Sequence, residues 1–367
     1  MGDKVAFLWR DPAIPGRFST GVCLHGHTLH SEECLSFLPR YLRMIPGAAP
    51  IVNGYERAGV DFAQAFWTPP LTPASALSLE REQMVKLGLN PMVSLTDHDN
   101  VEAGMALQVT ADRRRVPVSV EWTVSYRRSI FHFGIHNLPP QTARGWMEVM
   151  ADLTAAPDEA HLPPLLRALA AIPDALVVLN HPFWLEEGVA EQDHLPALRQ
   201  LLAECRASIH AFELNGTRPW RENANTIELA RTCSRPVISG GDRHGCEPAA
   251  CVNLTNAGTF GEFAEEIRAG KSNVMFLAQY RESMAMRVLE TTWDILRNFP
   301  EYPGRERWTD RVFYRNENGF TEPLTRIWEH GAPWMVRGAT GLLELVATTR
   351  LRQALRLVLM RRGEILP

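Results

Sequence analysis

The stretch CLHGHTLHSEE at residues 23–33 places three histidines and two glutamates within eleven positions. His25 and His27 are two apart, so on an extended chain both imidazoles project to one side and can chelate a single ion. Further candidates follow at wide spacing. His98 stands in TDHD, Glu121 in VPVSVEW, His132 in SIFHFGIH, His181 in NHP, and Asp242 and His244 form a D-x-H. The first stretch adds an acid, taken as Glu32 with Glu33 beside it as the alternative. One ion takes about four ligands, so this inventory fits two or three divalent ions. Imidazole mixed with carboxylate suits Zn, Mn or Fe. Asp97 and Glu213 read as supporting acids that orient ligands by hydrogen bonding. Arg218, Arg243 and His136 are candidates for phosphate contact or leaving-group protonation. Arg243 lies between two ligands, and His136 shares a strand face with His132. His30, His161, His194, His210 and His330 read as ordinary histidines.

Groups so far apart in sequence need a scaffold that converges them. Seven short apolar runs supply candidate strands: 21–27, 91–99, 116–122, 129–136, 175–182, 208–215 and 235–244. Segments with helical spacing lie between several of them, including 76–88, 163–172, 194–205 and 223–233. Strand alternating with helix predicts parallel strands joined by crossover helices, and near-continuous apolar strands predict burial on both faces. Seven such strands predict an α/β fold with a closed or nearly closed (β/α) barrel. In such barrels reacting groups gather at the C-terminal strand ends, where at least six of the twelve histidines fall.

The chain of 367 residues is 45 % hydrophobic, enough for one large core with an extension. The net charge of −4 gives no global basis for binding nucleic acid or an anionic membrane. Six cysteines without a C-x-x-C pair read as reduced thiols of a cytoplasmic protein. No run reads as a secretion signal or a membrane span. After about residue 280 the strand-and-ligand pattern stops, which predicts a mainly helical extension over 281–367. Its last helix, 339–362, carries Arg350, Arg352, Arg356, Arg361 and Arg362 and is expected to pack its apolar face on the barrel or on a second subunit, giving a homo-oligomer in the latter case.

Six segments in order resemble the motifs of the PHP (polymerase and histidinol phosphatase) family: CLHGHTLHSE, TDHDN, VEW, FHFGI, LNHP and SGGDRH. The resemblance spans roughly residues 20–280 and implies a distorted (β/α)7 barrel in residues 1–280 that hydrolyses phosphate esters with up to three divalent metals. It implies a first ion on His25, His27, Glu121 and Asp242. A second would lie on Glu32 or Glu33 with His98 and His244, and a third on Glu121, His132 and His181. The chain departs from the family at Cys23, where the first motif has aspartate, and at 34–72, which reads as an insertion forming a lid or substrate wall with Phe66 and Trp67. The expected activity is metal-dependent hydrolysis of a small phosphate ester. The alternatives are hydrolysis of a non-phosphate bond, a nuclease-like module, or an inactive metal-binding scaffold.

Overall fold

The computed structural model describes residues 4–36, 38–44, 49–57, 59–109, 115–347 and 351–355. The strands are β1 (Lys4–Phe7), β2 (Thr20–Cys23), β3 (Glu33–Cys34), β4 (Asp61–Trp67), β5 (Asn90–Val93), β6 (Val118–Tyr126), β7 (Ser129–Leu138), β8 (Leu176–Asn180), β9 (Ala211–Asn215), β10 (Val237–Gly240), β11 (Cys251–Thr255), β12 (Asn273–Phe276), β13 (Val312–Arg315) and β14 (Thr321–Pro323). The helices are α1 (Leu38–Arg43), α2 (Ala49–Arg57), α3 (Pro73–Lys86), α4 (Glu102–Leu107), α5 (Ala143–Ala155), α6 (Leu162–Ala170), α7 (Glu191–Cys205), α8 (Trp220–Cys233), α9 (Phe260–Arg268), α10 (Met284–Leu296) and α11 (Trp334–Ala347).

All seven apolar runs contain a strand, but they do not form the expected (β/α)7 barrel. Among the described residues the strands make three separate open sheets, ordered β1-β12-β11-β2-β5, β10-β9-β8-β7-β6 and β14-β13-β4-β3. The first two mix parallel and antiparallel pairs. The reason lies in the connections. Only Arg127 and Arg128 separate β6 from β7, with Arg127 at φ 56°, so these strands turn back on each other as a hairpin rather than crossing over. β7 pairs antiparallel with β8 although α5 and α6 lie between them. Among the described residues, the strand pairing between the two larger sheets is limited to isolated bridges: Gly26 to Arg243, Leu95 to Val118 and His98 to Glu121.

The period-2 alternation of the second sheet decides what faces where. On β6, Val118, Val120, Trp122, Val124 and Tyr126 join one large core, with Phe131, Phe133 and Ile135 of β7 and Val177 and Leu179 of β8. α5, α6, α7 and α8 contribute Met147, Leu166, Leu201 and Ala230 to that same core. The opposite face carries Glu121, His132, His136, Asn180 and Glu213, all buried. A second apolar cluster, including Val22, Val178, Ala211 and Ile238, is filled by Phe260, Phe263 and Ile267 of α9. Helix ends follow local sequence rules: Thr72 caps α3 by accepting the Ser75 N–H at 3.1 Å, and Thr259 caps α9 through Glu262 N–H at 3.2 Å.

The third sheet joins the 34–72 insertion to the C-terminal extension. β3 runs from the last residue of the first stretch into the insertion and β4 lies within it, while β13 and β14 come from the segment 300–323, whose composition is polar and loop-like. The extension is therefore not simply helical. A largely apolar cavity of about 350 Å³ lies in this layer, lined by Leu38, Val52, Phe62, Phe313 and Trp328 among others. α11 lies against α10, and Arg352 donates to Glu290 at 2.7 Å. The other arginines of the expected final helix, Arg350, Arg356, Arg361 and Arg362, lie outside the described residues. No described helix is long and apolar enough to cross a membrane.

Candidate metal centre

Three overlapping groups of side chains bring ligand-type atoms within 4.8 Å of one another: His25, His27, Glu121 and Asp242; His27, Glu33, His98 and His244; and His98, Glu121 and His132. Glu121 is the hub. Its Oε2 lies 2.8 Å from His25 Nε2, 3.4 Å from His27 Nε2 and 3.4 Å from His98 Nε2. Its Oε1 lies 3.1 Å from His181 Nε2 and 3.6 Å from His132 Nδ1. Asp242 Oδ1 closes the first group, at 3.7 Å from His25 Nε2 and 3.4 Å from His27 Nε2. Two of these residues have backbone that L side chains seldom adopt, His181 at φ 26° and Asp242 at φ 48°. Such backbone turns a side chain across a strand end rather than along it.

Of the two acids in the first stretch, Glu33 lies among the cluster's imidazoles and Glu32 does not. Glu32 is exposed, whereas Glu33 reaches His244 Nε2 at 3.3 Å, His98 Nε2 at 3.6 Å and His27 Nδ1 at 3.8 Å. The reason is pairing: Glu33 is in register with Trp67 in the β3–β4 ladder, and consecutive residues of a strand point to opposite sides. Ser31 fixes the corner. Its hydroxyl donates to Glu33 Oε1 at 2.7 Å and accepts the His98 N–H at 3.0 Å.

Supporting groups set the donor atoms. Glu213 Oε1 lies 2.5 Å from His25 Nδ1, which leaves Nε2 facing the cluster. The same carboxylate accepts the His181 N–H at 3.1 Å and Asn215 Nδ2–H at 3.0 Å. Asp97 accepts both the N–H and the hydroxyl of Thr28, at 2.5 and 2.7 Å, and so anchors the turn after His27. Three groups are not singled out by the residue types alone: Asn180, which donates to Glu121 Oε1 at 2.9 Å; Asn215, 3.1 Å from Asp242 Oδ2; and Thr217, 2.8 Å from the same oxygen. Both asparagines sit within strand-end motifs, LNHP and FELNG, which was the available signal.

The electrostatics are those of a site short of positive charge. Burial opposes ionisation of Glu121, but His25, His98 and His132 outweigh it and hold the carboxyl well below its usual range. Burial likewise opposes the charge on His244, yet Glu33 and Asp242 hold that imidazole up at about 9. His27 is pushed down to about 3, by burial first and then by His244. Glu121 and Glu33 are thus held anionic by crowded imidazoles, and Asp242 by the Arg218 guanidinium first and the imidazoles after it.

The three proposed substrate-contacting residues diverge. Arg218 stands at the rim: its Nη2 is 3.1 Å from Asp242 Oδ2, its guanidinium lies 3.7 Å from the Trp184 ring centroid, and its buried Nε has no hydrogen-bond partner among the described residues. Arg243 turns away. It is 4 % exposed and its guanidinium is committed to Glu80, Gly245 and His27 backbone, so it is not placed to meet a substrate. His136 is 2 % exposed, hydrogen-bonded to Ser94 at 3.0 Å and flanked by Phe260, so it lies behind the cluster. In the insertion, Trp67 reaches the site, 5.9 Å from the His244 ring, while Phe66 instead stacks on Phe313 at 5.0 Å.

No protein-family model matches the chain, and no curated protein matches it. Several solved structures are similar at low identity, among them the following three. PsfC from Pseudomonas syringae PB-5123 has a TM-score of 0.38 and 16 % identity, covering 60 % of this chain and 88 % of that one. A presumed metal-dependent phosphoesterase from Bifidobacterium adolescentis has a TM-score of 0.33 and 15 % identity, covering 55 % and 92 %. An amidohydrolase from Chromobacterium violaceum, solved with bound sulfate and no metal, has a TM-score of 0.38 and 14 % identity, covering 67 % and 96 %. The geometry of the cluster, and none of these likenesses, carries a functional reading.

Proposed function

We propose that this chain is a metal-dependent phosphoesterase acting on a small phosphate ester. The observation that carries the reading is Glu121, buried and anionic, with each oxygen facing a different set of imidazoles. A carboxylate so placed would be able to serve two neighbouring cations. The donor set fits two or three divalent ions such as Zn, Mn or Fe. His25, His27, Glu121 and Asp242 would hold one. Glu33, His98 and His244 would hold a second, with His27 beside them. Glu121, His132 and His181 would hold a third. The ordered motifs quoted above support placing the chain near the PHP family.

Bound divalent cations supply a water-derived nucleophile at neutral pH and offset charge developing on a phosphoryl group. The protein's own part is to orient and to exclude. Glu213 fixes the tautomer of His25, Asn180 and Asn215 orient Glu121 and Asp242, and Trp67 screens His244 from one side. Arg218 is the residue for a non-bridging phosphate oxygen, because it stands at the rim beside Asp242 with its side chain part exposed and Trp184 holds the guanidinium plane. The test is to strip divalent ions from the protein, restore Mn(II) or Zn(II), and assay nitrophenyl phosphate and a phosphodiester. Metal-dependent release of phosphate or nitrophenol is expected; the absence of metal-dependent turnover on every phosphate ester overturns the reading.

A further inference from the structure

One buried ion pair lies outside the cluster. α3 buries Ala76, Leu77, Glu80 and Met84, so a carboxylate occupies a position on the stripe where helical spacing calls for an apolar residue. Glu80 is 1 % exposed, and its Oε1 receives Arg243 Nε at 3.0 Å. The Ala249 N–H points to the same carboxylate, 3.2 Å from each oxygen, and the Cys23 thiol lies against it.

Arg243 uses what remains of its guanidinium on backbone. Nη1 donates to Gly245 O at 2.9 Å and Nη2 donates to His27 O at 3.1 Å. Its own carbonyl accepts the His27 N–H at 2.9 Å. Both peptide groups flanking the His27 side chain are therefore held by one residue, which itself sits between Asp242 and His244. His27 belongs to two of the three ligand groups. A charged pair is an expensive way to stabilise a core, since apolar replacements of similar volume are often no less stable. Two bonds to one residue's backbone offer something an apolar contact cannot, a fixed distance and direction.

We infer that Glu80 and Arg243 form a positioning pair that clamps His27 and so sets the spacing of two adjacent cation sites. The inference rests on the metal-centre reading above.

The test compares wild type with the double variant Glu80→Leu/Arg243→Met, which removes both charges, and with Arg243→Lys, which keeps the charge but cannot span both carbonyls. Thermal unfolding of the cation-free proteins reports folding, and titration with Mn(II) or Zn(II) alone reports affinity and stoichiometry. The expected result is that the variants fold but bind the two ions sharing His27 more weakly in parallel, by roughly 10- to 100-fold. Folded variants that bind as tightly as wild type, within about twofold, overturn the inference and leave the metal centre standing. If the double variant does not fold, Arg243→Lys decides between the same two outcomes. Wild-type protein that binds neither ion overturns the metal-centre reading and this inference together.

Discussion

The sheet β10-β9-β8-β7-β6 and the small sheet β14-β13-β4-β3 both deliver side chains to the metal centre, but they are built in opposite ways. β8 and β9 are buried at every residue, whereas β4 alternates irregularly between exposed and buried positions and β14 has no buried residue. The large sheet draws on residues 118–240, while the small one pairs residues 33–67 with residues 312–323. The large sheet contributes Glu121 and His132 from one inner face backed by a dense core. The small sheet contributes Glu33 and Trp67, a register pair, from a layer that also holds an apolar cavity. A ligand gains rigidity from what is packed behind it. Glu33 is therefore the ligand-type acid with the least support, and the Glu121 corner the one with the most.

Ways to break this contrast can be ranked. Glu121→Gln removes charge from the hub and should lower metal-restored kcat/KM by about three orders of magnitude or more, with a matching fall in bound metal by elemental analysis. Glu33→Gln should cost less, on the order of 100-fold, because it serves only one corner; Glu32→Gln, exposed, should change turnover less than about twofold. Equal effects at 32 and 33 would remove Glu33 from the site. In the large sheet a methyl group at Gly240 would overlap the Glu213 carboxylate, so Gly240→Ala should destabilise by about 1–3 kcal/mol in chemical denaturation and disturb His25 with it. Phe313→Ala, in the small sheet, loses the Phe66 stack and should cost about 1 kcal/mol, with faster amide exchange confined to β3, β4 and β13. If exchange quickens as much in β8, the two layers are not separable.

The smallest effect concerns His210, just before β9 of the large sheet and away from the cluster. It accepts the Val177 N–H on Nδ1 at 2.9 Å, and burial, then Arg268 and Arg235, push it down to about 4. The fold holds the neutral imidazole, while the unfolded chain takes up a proton near pH 6.5. This stabilisation is therefore complete above about 6.5 and is lost as pH falls towards 4. His210→Asn should flatten the dependence of unfolding free energy on pH in that window relative to wild type. An unchanged slope would show that His210 is not held neutral.

Much of the large sheet was legible because its signal is local. Val118, Val120, Trp122 and Val124 alternate with Ser119, Glu121 and Thr123, and that alternation alone sends Glu121 inward. The hairpin was not read, because the apolar runs 116–122 and 129–136 leave six residues between them and only the paired strands extend to within two residues of each other. Nor was the antiparallel β7–β8 pair, because two helices intervene and the direction of return depends on how they dock. The small sheet was less legible still. VFYR and TEP carry little apolar periodicity, and β4 finds β13 only when chain ends some 250 residues apart are brought together. Asn180 stood in the quoted LNHP and Asn215 two residues after Glu213, but neither has a charge to mark it, and Glu80, outside the cluster, was hidden by sitting inside an ordinary helix.

The sequence by itself determined which ligand-type side chains are available: His25, His27, His98, Glu121, His132, His181, Asp242 and His244 stand in or at the ends of apolar runs, and both type and alternation are properties of neighbouring residues. Only the tertiary structure decided direction. It chose Glu33 over Glu32, because a one-residue step on a strand reverses the side chain and the pairing with Trp67 fixes which step faces in. It turned Arg243 away from the centre, because Glu80 waits on the far side and a buried guanidinium goes where a carboxylate can meet it. It also divided one expected barrel into separate sheets, because hydrogen bonding between strands depends on register and direction, which no single run carries.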